Sequence, residues 1–243
     1  MTLVFLLLGA LAGVLTTLAG QGGGLLLLLA VSALVGPREA LAITAPALLC
    51  GNLHRAILLR KFLDRSVASR MMMGTIPGSI AGGLAAGVLP TWGLRAVLVV
   101  MTALAIARAL GWLQFQVSPR ALAPAGLGIG TMTGTSGGAG VLLAPLLLST
   151  GLSGRAFVAT SSAIAVSMHV GRVLGYAGLG FFSGGLVGIT AAVTAAIFAG
   201  NWLGGRAQKW LEDRETGRAG RAQSFLEYGT LVVCVALSVA GFG

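Results

Sequence analysis

Polar side chains able to hold a ligand are few in this chain, and they gather around two runs of glycine. The first run, Gly20-Gln21-Gly22-Gly23-Gly24, is followed downstream by Thr44 and Asn52. The second, Gly134-Thr135-Ser136-Gly137-Gly138-Ala139-Gly140, has Thr133 before it and Thr160, Ser161 and Ser162 beyond it. Carboxylates avoid the apolar segments; Glu39 and Glu227 come nearest, each close to a predicted span end. A site of amides, hydroxyls and backbone N–H groups without carboxylates suits a small anion. Glycine lets an anion approach the main chain, and the start of a helix offers both free N–H groups and a positive dipole end. Predicted helices at 25–35 and 141–150 start directly after the two runs, so their first turns would face the gap. The two runs read as the floor and ceiling of one substrate site.

Two basic pairs lie downstream of the runs: His54 with Arg55, and His169 with Arg172. They could attract an anion, gate its passage or relay a proton near neutral pH. The plainer alternative is arginine snorkelling to the interface while histidine packs. Asn52 precedes Arg55 by three residues and would share its helix face. No catalytic set accompanies them: HExxH and CxxC are both missing. Gly128-Ile129-Gly130 opens no strand–helix unit and is not a dinucleotide fingerprint. The sequence therefore reads as a non-enzyme, with no cofactor and no metal. Cys50 and Cys234, far apart in apolar sequence, read as core residues.

The elements that must position these groups are membrane spans. The chain has 243 residues, of which 56% are hydrophobic and 9% charged. An average soluble domain is about 25% charged. Apolar segments run at 3–19, 24–36, 39–60, 70–89, 93–113, 121–133, 139–151, 154–178, 181–205 and 224–242. Several reach the ~20 residues needed to cross a bilayer. Those flanking the glycine runs are shorter, which predicts re-entrant hairpins or short tilted spans. No positive stretch precedes Leu3–Leu18, so a cleaved leader is not expected. The net charge of +10 sits in short loops, where it sets orientation rather than binding nucleic acid. Arg55, Arg60, Lys61, Arg65 and Arg70 mark one loop as cytoplasmic, and Arg206, Lys209, Arg214, Arg218 and Arg221 mark another. The 114–120 link is then inside too, with both termini on the far side.

The halves repeat. Adding 116 to the residue number carries Gly22 to Gly138, Gly24 to Gly140, Ala40 to Ala156 and Thr44 to Thr160, with the histidines out by one. Each half has a broken hairpin and three spans, an odd number, which predicts inverted repeats at 1–116 and 117–243. The expected fold is an all-α polytopic membrane protein. Gly74, Gly78, Gly82 and Gly83, and Ala196, Gly200 and Gly204, form rows that let helices pack closely, within the subunit or across a homodimer. Pro46, Pro77 and Pro145 should kink or break their segments.

Several stretches carry a family resemblance. Leu11-Ala12-Gly13, Gly22-Gly23-Gly24, Ala42-Ile43-Thr44-Ala45 and Asn52-Leu53-His54-Arg55 are similar to the opening module of the sulfite exporter TauE/SafE family. Gly137-Gly138-Ala139-Gly140-Val141-Leu142-Leu143-Ala144-Pro145 and Ala159-Thr160-Ser161-Ser162 resemble its second module. The resemblance spans essentially the whole chain. It implies a multi-pass bacterial inner-membrane protein that moves sulfur-containing anions such as sulfite, sulfonates or sulfoacetate. It makes Gln21 to Gly24 and Ser136 to Gly140 the substrate-coordinating loops, with Thr160, Ser161 and Ser162 as side-chain donors. Pro46 falls where the second half has Ser162, so the site need not be symmetric. The expected function is secondary transport by alternating access. A channel-like anion pore and a non-transport accessory membrane subunit are the alternatives.

Overall fold

Apolar sequence in lipid must satisfy its backbone internally, and helices do so. A computed structural model of the chain describes residues 2–18, 22–112 and 117–212, and every regular element among them is helical. Gln21, Glu227, Cys234, the predicted span at 224–242 and most of the second basic loop lie outside the described residues. The α-helices are α1 (Thr2–Leu18), α2 (Gly23–Val35), α3 (Pro37–Leu58), α4 (Arg65–Val88), α5 (Thr91–Ala109), α6 (Leu122–Ser136), α7 (Leu143–Ser149), α8 (Gly154–Gly178) and α9 (Gly184–Glu212). Among the described residues, α3, α4, α5, α8 and α9 are long and apolar enough to cross a membrane. The chain is an all-α polytopic membrane protein.

Local chemistry sets the element ends. Asp64 accepts a hydrogen bond from the Val67 amide at 2.9 Å and caps α4. Gly137, at φ +73°, closes α6 in the left-handed conformation that favours glycine. A tight turn, Ala139–Leu142, then leads into α7. Of the expected kinks or breaks, no break occurs at Pro46 or Pro77: α3 and α4 continue through them. A bundle can satisfy the carbonyls that proline frees, so these helices survive it. Pro145 sits in the first turn of α7, where its missing N–H is no loss.

Glycine rows bring two helix pairs into backbone contact. A Cβ at Gly74, Gly78 or Gly82 of α4 would fall on the carbonyl oxygen of Ala123, Leu127 or Thr131 in α6. In return, one at Gly130 would lie 2.7 Å from the Thr75 carbonyl oxygen. In the same way Gly9 and Gly13 of α1 meet Val193 and Ile197 of α9, and Gly200 of α9 meets Ala10. Both rows expected from the sequence are thus filled within the chain.

Between these pairs α3 and α8 cross antiparallel. Arg155, at the start of α8, lies 5.5 Å over the ring of Phe62, just beyond the end of α3. At the opposite end Arg38 of α3 lies 5.3 Å over Phe181, just after α8. α2 is buried on every side from Leu25 to Val31, as an all-round hydrophobic helix should be. α5 and α9 instead expose Trp92, Val99, Val100, Phe198 and Trp202, a surface fit for lipid.

Candidate functional site

The two glycine tips meet inside the bundle. A Cβ on Gly138 would lie 2.6 Å from the Leu25 side chain, and one on Gly137 would lie 3.0 Å from that of Leu28. Beside this contact is a cavity of about 60 Å³ lined by Gly22, Gly24, Gly137, Gly138 and Gly140, roughly the room of two water molecules. Helix α3 adds Asn52 and Arg55 to its wall, and α8 adds Ser161 and His169. No carboxylate lines it among the described residues.

Arg55 is 7% exposed. Its Nη1 donates to the Thr16 carbonyl at 2.7 Å, near the negative end of the α1 dipole. Its Nη2 donates to Asn52 Oδ1 at 2.6 Å. The Nε–H is buried and has no partner among the described residues. Holding a guanidinium out of water without a carboxylate costs several kcal/mol, and an orphaned buried donor adds to that. Arg55 also lines a larger vestibule of about 370 Å³, together with His54, Phe62, Arg155 and Asn201. It therefore stands between the vestibule and the inner cavity.

Arg172 is its counterpart on α8 and is fully buried. Its Nη1 lies 3.0 Å from His169 Nδ1, and its Nε donates to the Tyr176 hydroxyl at 3.3 Å. Tyr176 in turn donates to the Gly134 carbonyl at 2.6 Å near the end of α6. A Cβ on Gly137 would sit 2.6 Å from Arg172 Nη2, so only glycine admits this guanidinium beneath the second tip. Each arginine thus grips a residue one turn earlier on its own helix, Asn52 or His169.

Three of the hydroxyls expected to serve as donors have their protons committed elsewhere. Thr44 donates to the Ala40 carbonyl at 2.8 Å, Ser136 to Met132 at 2.6 Å and Ser161 to Val158 at 3.1 Å. Such bonding back along the helix is ordinary for buried Ser and Thr. What faces the cavity from Ser161 is oxygen lone pairs, the wrong polarity for an anion. The donors left over are N–H groups.

Other predicted residues are placed apart. Gly23 packs on α1 against the Ala12 carbonyl rather than lining the cavity. Thr44 is buried behind the wall, 3.5 Å from Arg172 Nη2. Ser136 accepts from the Gly138 amide at 3.2 Å and holds the turn. Thr160 accepts from the Asp64 amide at 3.1 Å and ties the α3–α4 link to α8. Ser162 is buried outside the cavity lining. His54 is exposed in the vestibule, edge-on to Phe198 at 5.5 Å. Thr16, Thr133 and Met168 line the cavity as well, and sequence reasoning had not placed the first or last there. Matching the histidines hid the better register: adding 117 pairs Asn52 with His169 and Arg55 with Arg172.

Residues 5–220 match the family model described as Sulfite exporter TauE/SafE. The chain belongs to the TauE/SafE family. No curated protein and no solved structure matches it. Membership makes this chain one of a family of membrane exporters of sulfur anions, and the match runs through both glycine tips and both arginine helices of this TauE/SafE protein.

Proposed function

We propose that this TauE/SafE protein is a secondary transporter that carries small sulfur-containing anions across the bacterial inner membrane by alternating access. The carrying observation is Arg55, a buried guanidinium between the vestibule and the cavity whose Nε–H has no partner among the described residues. The anion would be held by that N–H, by the glycine backbones of the two tips and by the α8 wall. Its charge would offset that of Arg55, which no carboxylate among the described residues of the cavity wall does. Small size is favoured too, because about 60 Å³ suits sulfite better than a long-chain sulfonate.

The two-repeat reading is supported by how helices pair. α6 packs on α4 as α1 packs on α9, and α8 packs on α4 as α3 packs on α9. The matched helices α3 and α8 run in opposite directions, as inversion requires. Arg60, Lys61, Arg65, Arg155 and Arg206 crowd the vestibule end, which by the positive-inside rule is cytoplasmic. This conformation would then be the inward-facing one.

The test is ligand stabilisation of purified protein by sulfite, sulfoacetate, thiosulfate, sulfate and chloride. A ligand at a hundredfold excess over its Kd adds ~2.7 kcal/mol of stability. Selective stabilisation by a sulfur anion, abolished in Arg55→Gln, is expected. An equal response to chloride, or none to any sulfur anion, would sink the substrate class.

A further inference from the structure

Arg172 is fully buried, yet it does not line the cavity. Its strongest polar contact is with His169, Nη1 to Nδ1 at 3.0 Å. A guanidinium has only donors, so Nδ1 must be the acceptor and carry no proton. A neutral imidazole then bears its hydrogen on Nε2. His169 is 6% exposed and lines the cavity, and Nδ1 is its one polar contact among the described residues. We propose that Arg172 is a positioning residue that holds His169 as a neutral, Nε2-protonated donor to the transported anion. This rests on the anion-transport reading of the same cavity.

Three features favour the assignment. The cavity-lining hydroxyls of Thr16, Thr133 and Ser161 already donate to carbonyls of their own helices, so N–H groups must do the anion's binding. The corresponding residue in the first half, Asn52, accepts from Arg55 through Oδ1 while its Nδ2 donates to the Leu48 carbonyl at 2.8 Å. The halves thus share an arginine-oriented side chain, and only the second makes it a ring whose far nitrogen is unengaged. The cations Arg55 and Arg172 also lie close to His169, and no carboxylate lines the cavity among the described residues, which disfavours a third positive charge there. His169 is then an oriented dipole and not a proton carrier.

The experiment uses full-length protein in lipid nanodiscs with ¹⁵N-labelled histidine, His54→Gln separating the two histidine signals. His169 is expected to show a protonated Nε2 and a bare Nδ1 at neutral pH, with Nε2 shifting when sulfite is added. Arg172→Met should release the ring into a mixture of tautomers. His169→Asn, which can accept from Arg172 and donate as Asn52 does, should retain sulfite stabilisation. His169→Leu should lose about tenfold to a hundredfold in affinity. A protonated Nδ1, an imidazolium, or an Nε2 indifferent to an anion that stabilises the protein would overturn the proposal and leave the transport reading intact. Absence of stabilisation by any sulfur anion would remove the transport reading, and this proposal with it.

Discussion

Arg55 holds two acceptors at once, the Thr16 carbonyl and Asn52 Oδ1, while its Nε–H has no partner among the described residues. That geometry needs the planar fork of a guanidinium; an ammonium is a point charge on a flexible stem. Arg55→Lys should therefore keep the charge and still raise KM for transport about tenfold to a hundredfold, the worth of a charge-assisted hydrogen bond. An unchanged KM in proteoliposome uptake would mean that charge alone suffices. Gly138 offers a cleaner steric probe than Gly23. Bulk at Gly138 meets the flexible end of Leu25, whereas bulk at Gly23 meets the α1 backbone. Gly138→Leu should fill the cavity and abolish uptake while the purified protein stays monodisperse with a cooperative melt. Gly23→Leu should lose the fold as well. The sequence displayed the donors but not their commitments. A hydroxyl reads as a donor on paper, and only the helix geometry reveals that Ser161 and Thr44 already donate to the Val158 and Ala40 carbonyls one turn earlier. Thr160 and Ser136, expected as ligands beside the tips, accept from the Asp64 and Gly138 amides, contacts the sequence does not display.

At the scale of elements, glycine plays two parts that sequence alone merges. Gly134 belongs to a run that reads as a break, yet α6 continues through it to Ser136. It does so because Gly134 is a contact residue, facing the Ser79 carbonyl of α4. The break itself is confined to the turn from Gly137 onward, where φ turns positive and the α-helix ends. The spans were legible because runs of about 20 apolar residues leave little choice. No break occurs at Pro46 or Pro77, because neighbouring helices can satisfy groups that an isolated helix would leave free. Close backbone approach gives a sharp contrast on these helices. Gly78→Leu would drive a side chain into the Leu127 carbonyl, whereas Gly128→Leu on α6 meets nothing within 4 Å. The first should prevent recovery of folded protein from membranes. The second should leave its melting temperature unchanged, since exposed substitutions usually stay within ~0.5 kcal/mol. Equal behaviour of the two in detergent melts would contradict the α4–α6 packing.

For the whole molecule, the vestibule's direction and the coupling of its two ends are the quantities that define a carrier. The vestibule lies at the arginine-rich end, with Leu58 exposed on its wall and Ser183 exposed at the opposite end. With Cys50 and Cys234 replaced by alanine, Leu58→Cys should react with a membrane-impermeant maleimide only from the cytoplasmic side. Ser183→Cys should react only from outside. On the proposed function, a substrate that reaches Arg55 from the vestibule would leave by a route past the contact between Gly138 and Leu25. Opening that route while the vestibule stays open would make a pore, whose flux rises with concentration and ignores what waits on the far side. Closing the vestibule as the route opens makes a carrier, and a loaded carrier returns faster than an empty one when substrate binding eases the transition. Proteoliposomes preloaded with unlabelled sulfite should therefore take up labelled sulfite faster than empty ones, with saturation. Maleimide on Leu58→Cys should stop both the uptake and the exchange if the proposed anion site is reached through that vestibule. Linear, unstimulated flux that survives the modification would instead require a continuous path past Arg55, and the two glycine tips would then form a constriction in a channel.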